Sequence, residues 1–169
     1  MLKFNTKLNI VSLLLGTLFI SSMAFAGALW QGTTSGMSIN EVRATFPQLA
    51  STKPSEDVLE GQPVKLLHLD NIQIVGSLFS ANFYFKDEKL FDVTLVLDGN
   101  SSYVSTMNVF GSLSTALRKK YGKEVSTNEK SGLVNQTDAE WLSQSTHIKL
   151  STVSVSNDNA VLKLTYQTK

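Results

Sequence analysis

The 169-residue chain contains no cysteine. That excludes disulfides, thiolate metal sites and an acylated cysteine, so a domain built from it must stand on its hydrophobic core. Charge of either sign is not in excess, with 15 basic against 14 acidic residues, which argues against nucleic acid or an anionic membrane held by bulk electrostatics. The sequence has no G-x-S-x-G, H-E-x-x-H, P-loop or dinucleotide fingerprint. Its two histidines stand about eighty residues apart and its carboxylates are scattered singly, so no metal-ligand spacing arises and no cofactor is expected. His68 and His147 both fall in strand patterns, where pairing with a polar neighbour is the structural reading. Nothing here points to an enzyme.

What is present begins with a leader. Lys3 and Lys7 precede an apolar run from Leu8 to Ile20, and Ala24-Phe25-Ala26 offers the small residues read by a signal peptidase. Cleavage after Ala26 would make Gly27 the first residue of a periplasmic or secreted protein. The run is short of the roughly 20 residues a spanning helix needs, and no later stretch reaches that length, so no membrane anchor is expected after cleavage. The expected organisation is a signal peptide over 1–26, an extended N-terminal arm over 27–37 and one domain over 38–169. Without the leader the formal charge is −1, from 13 basic and 14 acidic residues.

The stretch from Ser80 to Leu97 alternates apolar and polar residues on both sides of Asp87-Glu88-Lys89, the pattern of a central antiparallel hairpin. With those three residues as the loop, Phe85 falls opposite Phe91 and Phe83 opposite Val93. Earlier, Ser38 and Glu41 form a capping box, and Ile39, Val42 and Phe46 share one face of a short helix that Pro47 stops. Val64–Leu69 and the residues from Ile72 read as two strands around an Asp70-Asn71 turn, with a bulge near Val75-Gly76.

Later, Tyr103, Met107, Phe110, Leu113, Leu117 and Tyr121 make a helical stripe, capped by Ser101 or Ser102 and ended by Gly122. Residues 123–138 are polar and read as a long loop. A last hairpin turns at Asn157-Asp158-Asn159, pairing Leu150 with Tyr166 and Thr152 with Leu164, and Val161–Tyr166 reads as an edge strand. The fold class is α+β: an antiparallel sheet covered on one face by one long and one short helix. The element order suggests two αβββ units.

Gly36-Met37-Ser38, then Glu41-Val42 and Phe46-Pro47, resembles the opening of the SmpA/OmlA family of small outer-membrane assembly lipoproteins and of related β-lactamase-inhibitor-like domains. The resemblance spans about a dozen residues and implies a binding fold. The lipoproteins' acylated cysteine is missing here, so no tether or functional residue carries over.

Candidate contacts follow from the faces. Phe79, Phe83, Phe85 and Phe91 are expected inward, whereas Tyr84 points outward with Leu78, Asp92, Thr94 and Val96. Arg118, Lys119, Lys120 and Lys123 crowd the end of the long helix, where the dipole favours cations and an acidic partner would find them. Trp141 reads equally as an anchor or as core. The expected function is non-catalytic binding of another envelope or secreted protein. Alternatives are an inhibitor or immunity protein of an envelope-acting hydrolase and a carrier of a small apolar ligand. Oligomeric state is not legible.

Overall fold

One helix followed by four strands occurs twice along the chain in the computed structural model, which describes residues 27–53, 61–99, 102–156 and 159–169. The first unit is α1 (Ile39–Thr45), β1 (Ala50–Ser51), β2 (Val64–Ile74), β3 (Ser77–Lys86) and β4 (Lys89–Leu97). The second is α2 (Tyr103–Tyr121), β5 (Ser126–Lys130), β6 (Asn135–Ser143), β7 (Thr146–Ser156) and β8 (Asn159–Thr168). All eight strands form one open antiparallel sheet in the order β1-β2-β3-β4-β8-β7-β6-β5. The second unit mirrors the first about the β4–β8 pair. The two units therefore each carry one more short strand than the αβββ pattern read from the sequence.

Local chemistry explains the helices. Ser38 accepts the Glu41 amide, and the Glu41 carboxylate accepts the Ser38 amide at 2.7 Å, closing the capping box of α1. The Ser38 backbone donor holds that carboxyl below its usual range. Ser102 caps α2 by accepting the Ser105 amide, and Gly122 ends it at φ +84°. The α2 face with Phe110, Leu113 and Leu117 lies on the sheet, as do Val42 and Phe46 from the α1 side. Both helices cover the same face, whose floor is Phe79, Phe83, Leu95, Ile148, Leu150 and Leu164.

Several pairings differ from the sequence reading. The Asp70-Asn71 turn and the Val75-Gly76 bulge exchange places: β2 runs through to Ile74, Val75-Gly76 turns the chain with both φ values positive, and Asp70-Asn71 is the bulge opposite Ser80. Leu67 pairs with Phe83 and Ile72 with Phe79, which keeps these apolar side chains under the helices despite the extra residue. In the next hairpin the turn is Asp87-Glu88 alone, because Lys89 pairs with Lys86. A bulge then puts Leu90, not Phe91, opposite Phe85, while Phe83 does meet Val93. Leu90 is buried and Phe91 only half-buried.

The expected loop over 123–138 contains the edge strand β5, every residue of which is exposed. An all-polar edge strand has no apolar phase to reveal it; its ladder with β6 holds it. β8, expected at an edge, is central, with β4 on one side and β7 on the other. Its pairs with β7 are Leu150 with Leu164 and Thr152 with Leu162. The slide of two residues preserves the face. The Asn157-Asp158 part of that turn, like the leader with Ala24 and Ala26, lies outside the described residues.

The arm over 27–37 is not extended. Ala28 bridges to Thr34 around a turn in which Thr33 donates to the Trp30 carbonyl. Trp30 is buried and stacks on Phe46 with ring centroids 5.6 Å apart, and both rings meet Phe83. The arm also joins the two units. Gly36 donates to the Leu90 carbonyl of β4, Thr146 of β7 donates to the Ala28 carbonyl, and Thr168 of β8 donates to Ser35. Gly27 is packed so closely that a Cβ would lie 2.5 Å from Thr168 Cγ2.

Candidate functional site

The opposite face of the sheet carries no helix. Side chains alternate along strands, so the residues between the buried ones form this second surface in registered rows. One row runs Lys65, Tyr84, Asp92, Gln167, His147 and Leu142 across β2, β3, β4, β8, β7 and β6. The next holds His68, Asn82, Thr94, Thr165, Lys149 and Glu140. Five spacings of about 4.8 Å and strands about 30 Å long give roughly 700 Å² in projection, close to the ~800 Å² each partner contributes to a standard protein interface. The expectation that Tyr84, Leu78, Asp92, Thr94 and Val96 share a helix-free face is thus realised.

Charges on this face are mostly compensated within it. His147 Nε2 lies 3.1 Å from Glu140 Oε2, and Lys149 Nζ lies 3.4 Å from Glu140 Oε1 and 3.8 Å from Asp138 Oδ1. Gln136 of the same strand donates to Asp138 Oδ2 at 2.7 Å and Asn128 of β5 at 3.4 Å, while the buried Oδ1 has only the longer ion-pair contact with Lys149 among the described residues. His68 contacts the Thr52 hydroxyl through Nδ1 at 2.9 Å and Asp70 through Nε2 at 3.4 Å. Both histidines are therefore bound to polar neighbours, as their strand positions implied.

Asp92 differs. Its only hydrogen bond among the described residues comes from Thr94, which donates to Oδ1 at 3.2 Å and also contacts Thr165 at 3.0 Å. Half-burial without a cation pushes its carboxyl up to about 6, the Thr94 hydroxyl only partly offsetting the desolvation. Burial likewise raises the phenol of Tyr84, and the negative charge of Asp92 adds to it. One end of the face is apolar: Leu78, Val153 and Val161 are 51%, 40% and 44% exposed. There a groove of about 380 Å³ opens between Ser151, Val153, Val161 and Lys163.

The other sequence candidates lie elsewhere. Trp141 is fully buried and donates from its indole nitrogen to the Gly122 carbonyl at 3.0 Å, which makes it core and removes it from any surface contact. Arg118, Lys119 and Lys120 sit on α2, on the far side of the sheet from Tyr84, so they and Tyr84 do not form one site. Arg118 forks onto Glu124 with two bonds of 2.8 Å, holding that carboxyl down to about 2. Lys120 lies over the Tyr121 ring. The sequence reading did not find the Asp138–Glu140–His147–Lys149 group. Its signal was available: Asp138 and Glu140 are two apart on one strand, as are His147 and Lys149 on the next, so all four share a face.

On the covered side a cleft of about 490 Å³ lies between α2 and the arm, over the β4–β8 seam. Leu95, Leu113, Leu164, Leu117, Trp30 and Tyr166 line it, yet these residues are only 1% to 6% exposed. Burial raises the phenol of Tyr166 further above the usual tyrosine range. Neither histidine lines this cleft or the groove on the open face. Among the described residues no group of three or more histidine, aspartate or glutamate side chains is arranged to hold a metal ion, and no helix is long and apolar enough to cross a membrane. No protein-family model, curated protein or solved structure matches the chain.

Proposed function

We propose that the chain is an exported, non-catalytic binding domain that engages another envelope protein through the uncovered sheet face. The observation that carries this reading is the face itself: six long strands present a surface of interface size, polar and largely self-compensated at its centre and apolar at one end. A sheet with one face covered can leave the other to solvent, but exposed Leu78, Val153 and Val161 in one region are the pattern of a contact surface. The leader at the start of the sequence supports export.

The reading is tested by placing a photo-crosslinking residue at Asn82 or Ser80 on the open face, and at Thr115 on the outer side of α2, in protein made in its own source. A single stoichiometric adduct from the face positions alone is expected, and whether that partner is a hydrolase separates an adaptor from an inhibitor. Adducts only from Thr115, or none from any position, would refute it. A carrier of a small apolar ligand is less well supported, because the deep lining of the cleft beside α2, Leu95, Leu113, Leu164 and Leu117, is already packed and its accessible apolar surface lies mainly on the rim at Val75 and Ala116, whereas binding of such a ligand scales with the area it buries.

A further inference from the structure

Each carboxylate near the middle of the open face has a lysine or histidine neighbour among the described residues except Asp92. Glu140 and Asp138 share Lys149, Glu140 also holds His147, and Asp70 holds His68. No lysine, arginine or histidine lies within 4 Å of Asp92 among the described residues; the nearest charged neighbours in its row are Lys65, two strands away beyond Tyr84, and His147, two strands away beyond Gln167. Tyr84 is the direct cross-strand partner of Asp92 and shares its face. An aromatic ring beside an uncompensated, half-buried carboxylate, with Thr94 orienting one oxygen, lacks a cation to complete it.

We propose that Tyr84 and Asp92 form the receptor for an arginine side chain presented by the protein that docks on this face. A guanidinium is planar, stacks on a tyrosine ring and forks onto both oxygens of a carboxylate, whereas an ammonium is a compact point charge without a plane to stack or a fixed fork. Its arrival gives Asp92 the counter-ion it lacks, and tyrosine and arginine are both enriched at interface hot spots. A second copy of this chain is a poor source. Its two arginines are Arg43, bonded to Ser51, and Arg118, held by Glu124.

This inference rests on the docking reading above and is tested separately from it. The probes are N-acetyl-arginine amide and its uncharged isostere N-acetyl-citrulline amide, followed by carboxyl and ring NMR of the whole domain. The arginine probe is expected to move the Asp92 titration midpoint down by about one pH unit, as an opposite charge within a few ångström does, and to shift the Tyr84 ring signals. Asp92→Asn should weaken the response about tenfold, the scale of one lost charge-assisted contact. Equal shifts from the citrulline probe, an unaltered response in Asp92→Asn, or no shift at concentrations on the order of 100 mM, where even a tenfold preference registers, would overturn the proposal. If the crosslinked partner binds Asp92→Asn as well as it binds wild type, the arginine receptor falls while the docking face stands. If adducts form only from the helix side, both fall.

Discussion

Replacing Asp92 by Asn should stabilise the domain, and only at the upper end of the pH range. The carboxyl, near 4 when unfolded, is pushed up to about 6 in the fold, chiefly by burial. Because the native state holds the proton more tightly than the unfolded chain, stability falls as pH rises between those two values. Below about pH 4 both states are protonated and the penalty is absent; above about pH 7 it is complete. Two pH units correspond to about 3 kcal/mol, and the partial exposure of the side chain reduces this to about 2 kcal/mol. Asn keeps the shape and still accepts from Thr94, so the variant should equal wild type near pH 4 and exceed it by about 2 kcal/mol at pH 8. For a domain of this size that raises the melting temperature by about 5–10 °C. Urea unfolding of both proteins at several pH values, with equal m-values, measures it directly. A difference that does not change with pH, or a wild type that gains on the variant from pH 5 to pH 8, would refute the reasoning.

Three further perturbations test the rest of the fold. Gly27→Ala forces a methyl against Thr168 Cγ2 at 2.5 Å and Ser145 Oγ at 2.8 Å, and should lower stability by about 1–3 kcal/mol as overpacking does; an unchanged urea midpoint would show that the arm is not seated there. Trp141→Phe removes the indole bond to the Gly122 carbonyl and part of a fully buried ring, with an expected loss of about 2 kcal/mol by calorimetry. Val75→Asn should add about 1 kcal/mol, since a β-branched residue at φ +46° in a two-residue turn is strained where Asn is not; a lower melting temperature would contradict the turn assignment.

The sequence by itself determined the features that depend on neighbours a few residues away. The capping box of α1, the apolar stripe of α2, the Gly122 stop, the inward Phe79, Phe83 and Phe85, and the outward Tyr84 and Asp92 all follow from local spacing, because helix and strand periods fix which side chains share a face. Tertiary structure decided what requires two distant segments at once. Whether Asp70-Asn71 or Val75-Gly76 turns the chain depends on which register seats Leu67 and Ile72 under the helices; both dipeptides suit positive φ, so burial of the whole strand chooses. β5 exists through its ladder to β6, and β8 is central because the second unit folds back onto β4. The same holds at the proposed receptor. Residue 92 is an ordinary surface aspartate in any local reading, and it becomes a desolvated carboxylate without a counter-ion only when β3, β4 and β8 lie side by side.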